Sequence, residues 1–108
     1  MLKYLFIFRE STEKRPQPST EELQGLQTAW YQWMQKYQSA LVGGDGLLRT
    51  GRVLKASLVT DGPYSETKEI IASFSIIQAD DYDSAVAIAR ACPGDCHGIE
   101  IREMGGYA

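Results

Sequence analysis

The sequence predicts an α+β domain in which four extended segments and two amphipathic helices alternate as β-α-β-β-α-β. Three observations carry that prediction. The N-terminal run Leu2-Lys3-Tyr4-Leu5-Phe6-Ile7-Phe8 is rich in strand-forming residues. A stripe of apolar residues at three- and four-residue steps follows between Leu23 and Leu41. The last segment, His97 to Glu103, alternates apolar and polar residues, as a half-buried strand does.

The first strand spans residues 2–9, with Leu2, Tyr4, Phe6 and Phe8 on one face and Leu5 and Ile7 on the other. A strand apolar on both faces belongs in the middle of a sheet and needs a cover on each side. Polar residues with Pro16 and Pro18 then form a loop. Ser19 and Glu22 have the spacing of a capping box, in which each side chain satisfies a free N–H of the first helical turn. The helix carries Leu23, Leu26, Trp30, Trp33, Met34, Tyr37 and Leu41 on one stripe, and Gly43-Gly44 is the expected stop. The aromatic members Trp30, Trp33 and Tyr37 read as core packing in preference to a ligand platform.

A second extended region lies within residues 46–60, clearest at 53–59. Asp61-Gly62-Pro63 reads as a turn: Asp bonds to its own backbone, and Gly is tolerant of unusual φ. A third strand is expected at 69–78. Asp80 to Asp83 offers caps for a second helix, which ends before Pro93-Gly94, and the last strand covers 97–103. Right-handed crossovers turn this order into a four-stranded antiparallel sheet with both helices on one face, the ferredoxin-like arrangement. The other face is bare, and a large bare apolar face on a small domain implies a second copy packed sheet to sheet.

With 108 residues, the chain is read as a single domain over 1–104 with a loose tail at 105–108. Eleven basic against fourteen acidic residues, without a Lys/Arg cluster, argue against phosphate-led nucleic-acid binding. No apolar run approaches the ~20 residues of a membrane helix, and the charged Arg9-Glu10 follows too soon for a signal peptide. A cytoplasmic location is expected. Cys92 and Cys96 make no disulfide framework, and with one histidine they form a poor zinc site, so neither metal nor cofactor is expected. Gly43-Gly44-Asp45-Gly46 lacks the Lys-Ser/Thr of a phosphate loop.

The candidate chemistry concentrates in Asp61 to Glu69. Asp61 and Glu66 are carboxylates that could carry a proton, and Lys68 is an ammonium that could hold an anionic group beside them. Tyr64 and Glu69 complete the stretch as candidate ligand contacts. His97, the one imidazole, titrates near neutrality, and Arg102 can grip a carboxylate through two N–H groups or pair with Glu100 on the same face.

Three pieces resemble the YCII-related family, in its branch named for an Asp-Gly-Pro-Phe motif. They are Lys3-Tyr4-Leu5-Phe6, the block Asp61-Gly62-Pro63-Tyr64-Ser65-Glu66-Thr67-Lys68-Glu69 with Tyr64 in place of the usual Phe, and Ala91-Cys92-Pro93 followed by His97-Gly98-Ile99-Glu100-Ile101-Arg102. The Gly43-Gly44 to Leu47 segment fits as well. The resemblance implies a dimeric α+β barrel. It also implies a ligand-binding or regulatory module linked to transcription control, since family members resemble accessory partners of extracytoplasmic-function sigma factors. The alternative is a cofactor-independent lyase, hydrolase or isomerase acting on a small anionic molecule. This chain has Ala72-Ser73 where members commonly carry a glycine pair, which narrows the space there. The histidine–aspartate pair of some YCII proteins has no counterpart, because no histidine precedes His97.

Overall fold

A computed structural model describes residues 1–13, 17–63, 68–93 and 98–107. In chain order the elements are β1 (Leu2–Ser11), α1 (Thr20–Lys36), β2 (Leu41–Gly46), β3 (Gly51–Lys55), β4 (Leu58–Gly62), β5 (Glu69–Ala79), α2 (Tyr82–Arg90) and β6 (Ile99–Glu103). Four strands form one antiparallel sheet in the order β2-β5-β1-β6, and β3 and β4 pair separately as a hairpin. This is the ferredoxin-like skeleton with a hairpin inserted between its second and third strands. As expected of a doubly apolar strand, β1 is central.

Alternation along β1 sorts the sheet into two faces. Tyr4, Phe6 and Phe8 are buried on the helix side with Ile77 and Ala79 of β5, Trp33 of α1 and Ala85 and Ala89 of α2. Burying each large apolar side chain contributes roughly 1.5–3 kcal/mol. Rings continue the core outward: Phe8 meets Trp30 at 5.6 Å, Trp30 meets Trp33 at 5.6 Å, and Trp33 meets Tyr37 at 5.9 Å. On the opposite face Leu5, Ile7, Phe74 and Ile76 are half-buried and Ile71 is exposed, with no helix over them.

Both helices start as the sequence indicates. Ser19 Oγ accepts from the Glu22 N–H at 3.1 Å, and Asp81 Oδ1 accepts from the Ser84 N–H at 2.8 Å. Three expectations need correction. The first helix ends at Lys36 with Tyr37 as its cap, not at Gly43-Gly44. The Tyr37 carbonyl takes the N–H groups of both Ala40 and Leu41, closing the helix in a tight turn. Gly44 does adopt a positive φ, of 146°, but uses it inside β2. Residues 53–59 are not one strand, because the chain reverses at Ala56-Ser57, where Ala56 has φ 55° and Lys55 pairs with Leu58. Asp61-Gly62 is not a turn either: both residues belong to β4, opposite Arg52 and Gly51. The Gly62-Pro63 peptide is cis.

Candidate functional site

The helix face of the sheet tapers from β6 to β2. Across one row of the ladder stand Ile101, Phe6, Ser75 and Gly44; across the next stand Ile99, Phe8, Ser73 and Gly46. Large side chains therefore fill the space at β1 and β6, and almost nothing fills it at β5 and β2. Over this shallow side α1 presents Trp30, Trp33 and Met34, and a cleft of about 640 Å³ lies between them and the strands. That volume lies within the ~300–1,000 Å³ usual for small-molecule sites. Ser73, read from the sequence as narrowing a space where family members commonly carry glycine, lies in the lining of this cleft.

Gly44 makes the taper. A Cβ there would run into the Phe74 carbonyl oxygen and sit 2.9 Å from Ser75 Cα, and its φ is one that side-chain-bearing residues rarely adopt. The lining is mostly apolar. Its polar members are Ser73, Ser75 and Asp45, whose Oδ1 accepts from the Gly46 N–H at 2.8 Å. Trp33 is also structural: its indole N–H donates to the Ile88 carbonyl at 3.1 Å, joining α1 to α2.

The residues singled out from sequence lie elsewhere. Asp61 sits at the end of the hairpin, with Oδ1 3.5 Å from Arg52 Nη1 and its side chain 93% exposed. Lys68 Nζ is 2.9 Å from Glu13 Oε1, and the Lys68 carbonyl takes the Thr12 N–H at 2.7 Å, which pins the start of β5 to the end of β1. Glu69 opens β5 opposite Ser11. Arg102 lies on the open sheet face, its Nη1 3.3 Å from Glu100 Oε2, while Arg9 Nη2 holds Glu100 Oε1 at 2.9 Å. Hydrogen bonds from Arg9 and then Arg102 hold the Glu100 carboxyl below the ordinary glutamate range. Tyr64, Glu66 and His97 lie outside the described residues.

Asp61, Lys68 and Arg102 are thus distributed over the hairpin, the β1–β5 end and the open face, and none lines the cleft. Among the described residues no group of three or more His, Cys, Asp or Glu is placed to hold a metal ion. Elsewhere in the core, burial and then the nearby Glu103 carboxylate push the Tyr4 hydroxyl up from its ordinary pKa.

Sequence reasoning singled out Ser73 only as narrowing a space, and it missed Ser75, Met34 and the inward-facing Gly44 and Gly46 as lining. The signal was present: small residues at every second position of β5 and β2, opposite an aromatic helix stripe. It surfaces only once the ladder register is known.

An antiparallel sheet carrying two helices on one face places the protein among ferredoxin-like α+β domains, the unit from which dimeric α+β barrels are built. The YCII-related domain model matches residues 3–104, and the chain belongs to that family. A solved structure with the same fold is 5-chloro-2-hydroxyhydroquinone dehydrochlorinase (TftG) from Burkholderia phenoliruptrix AC1100, in complex with 2,5-dihydroxybenzoquinone. It aligns with a TM-score of 0.50 at 14% identity, over 96% of this chain and 94% of that one. At that identity the likeness concerns the fold. No curated protein matches the chain. Among the described residues no helix is long and apolar enough to cross a membrane.

Proposed function

We propose that this domain is a ligand-binding module that takes a small molecule in the cleft between α1 and the β2–β5 side of the sheet. The observation that carries this reading is the taper: the strands withdraw their side chains where the helix presents its aromatic ones. Filling the cleft is the direct test. A Ser75→Leu variant should keep its fold by circular dichroism yet lose the ligand-induced change in tryptophan fluorescence. Both tryptophans of the chain line the cleft and serve as reporters. An unchanged response in that variant would move the ligand elsewhere.

A homodimer is part of the proposal. Leu5, Ile7, Ile71, Phe74 and Ile76 form an apolar surface that the helices do not cover, and a second sheet of the same chemistry fits it. The family resemblance extends the reading to cytoplasmic regulation of transcription with a sigma factor as partner. Co-purification of that partner with the wild-type chain, and not with a cleft-filled variant, is the test of the regulatory link.

The enzymatic alternative draws on the fold shared with a dehydrochlorinase. It assigns proton transfer to Asp61 or Glu66 and anion binding to Lys68, with Tyr64, Glu69, His97 and Arg102 as ligand contacts. Turnover by the wild type that disappears in Asp61→Ala, Glu66→Ala and Lys68→Ala variants would select it over simple binding.

A further inference from the structure

The chemistry of the cleft defines the class of molecule it can hold. Phe8, Trp30 and Trp33 meet nearly at right angles, at 84° and 80°. A corner of perpendicular rings lets an incoming flat ring stack on one while meeting the edge of another, the two arrangements aromatic pairs prefer. Across from them, Gly44 and Gly46 offer bare backbone instead of side chains. An aromatic wall facing bare backbone suits a planar molecule.

Charge narrows the class further. Asp45 is the one ionisable residue among the described residues of the lining, it pairs with Phe74 of the open face, and no Lys, Arg or His is among them. An anionic ligand would lose its hydration and find no cation there. The hydroxyls of Ser73 and Ser75 lie on the helix face of β5, opposite Gly46 and Gly44. Each can both donate and accept a hydrogen bond, which matches a neutral hydroxyl or carbonyl on the ligand.

Resting on the cleft reading above, we infer that the ligand is an uncharged planar aromatic compound bearing at least one hydroxyl or carbonyl group. The rings of α1 and β1 hold its face and edge, and the β5 serines hold its oxygen.

Titration calorimetry at pH 7 with three probes tests this: 2-naphthol (flat and neutral), 2-naphthoate (flat and anionic) and decahydro-2-naphthol (neutral and not flat). The expected result is 2-naphthol binding at one site per chain, at least tenfold tighter than either comparator. Ser75→Ala should weaken it about three- to tenfold through loss of one hydrogen bond. Ser75→Leu, or Ser73→Leu if the first fails to fold, should abolish it. Naphthoate binding as tightly as naphthol, or the saturated alcohol doing so, overturns the ligand class while leaving the cleft as the site. Naphthol binding that survives the filled cleft overturns the site itself. Failure of all three probes to bind overturns both.

Discussion

The indole N–H of Trp33 donates to the backbone carbonyl of Ile88 across 3.1 Å, so one side chain both fills the core and fixes α1 against the end of α2. That carbonyl also takes the Ala91 N–H at 3.2 Å, so removing the indole leaves it one partner. Trp33→Phe should therefore destabilise the fold by about 1–3 kcal/mol, from one lost hydrogen bond and a partial cavity. Urea denaturation measures this. A loss under 0.5 kcal/mol, on the order of a surface change, would show that the helices are held without it.

Two glycines should respond to alanine in opposite senses. Gly44→Ala meets the β5 backbone at a positive φ and should cost more than ~1 kcal/mol, with the β2–β5 pairing as the casualty. Gly25 lies inside α1 with nothing within 4 Å of its would-be Cβ, so Gly25→Ala should stabilise by roughly 0.5–1 kcal/mol. Thermal melts of the two variants, shifted in opposite directions, are the expected result.

The Arg9–Glu100–Arg102 cluster makes a pH prediction. Glu100 titrates lower in the folded chain than in the unfolded one. Its contribution is complete above the unfolded value of ~4.3 and disappears as pH falls through the lower folded value. Glu100→Gln should be less stable than wild type at pH 7, with the difference shrinking below pH ~4. Denaturation midpoints at pH 7 and pH 3 check this, and a gap that stays constant would remove the ionic explanation.

The bare sheet face predicts association. Light scattering should give about twice the 12.0 kDa chain mass for the wild type and the single-chain mass for Ile7→Glu, which places a charge amid Leu5, Phe74 and Ile76. A wild type already at 12.0 kDa would leave that face without its proposed partner.

The Ser19 cap offers a local check of α1. Ser19→Ala should cost about 1 kcal/mol, because the Glu22 N–H loses its acceptor. Ser19→Asp should retain most of that stability, since a carboxylate at a helix start accepts the same bond and favours the dipole. Equal losses in both variants would show that the cap contributes little.

Much of the fold was legible before any coordinates. The alternation of Tyr4, Phe6 and Phe8 is a local pattern with period two, and the caps Ser19 and Asp81 are short-range hydrogen bonds. Each is written within a few residues of its effect. The family, too, was readable from the Asp61 to Glu69 block. Gly43-Gly44 misled because positive φ serves a helix cap and a close strand approach alike, and only the position of β5 distinguishes the two.

The cleft was not legible, for a physical reason. Ser75 and Gly46 are unremarkable along the chain, Ser73 and Gly44 stand out for other reasons, and the four become a floor only when the antiparallel register sets Ser75 against Gly44 and Ser73 against Gly46. The sequence by itself determined which residues of β1 and β6 alternate and where the two helices start. Tertiary structure alone decided where side-chain volume runs out across the sheet, because that depends on residues some thirty positions apart meeting in one row.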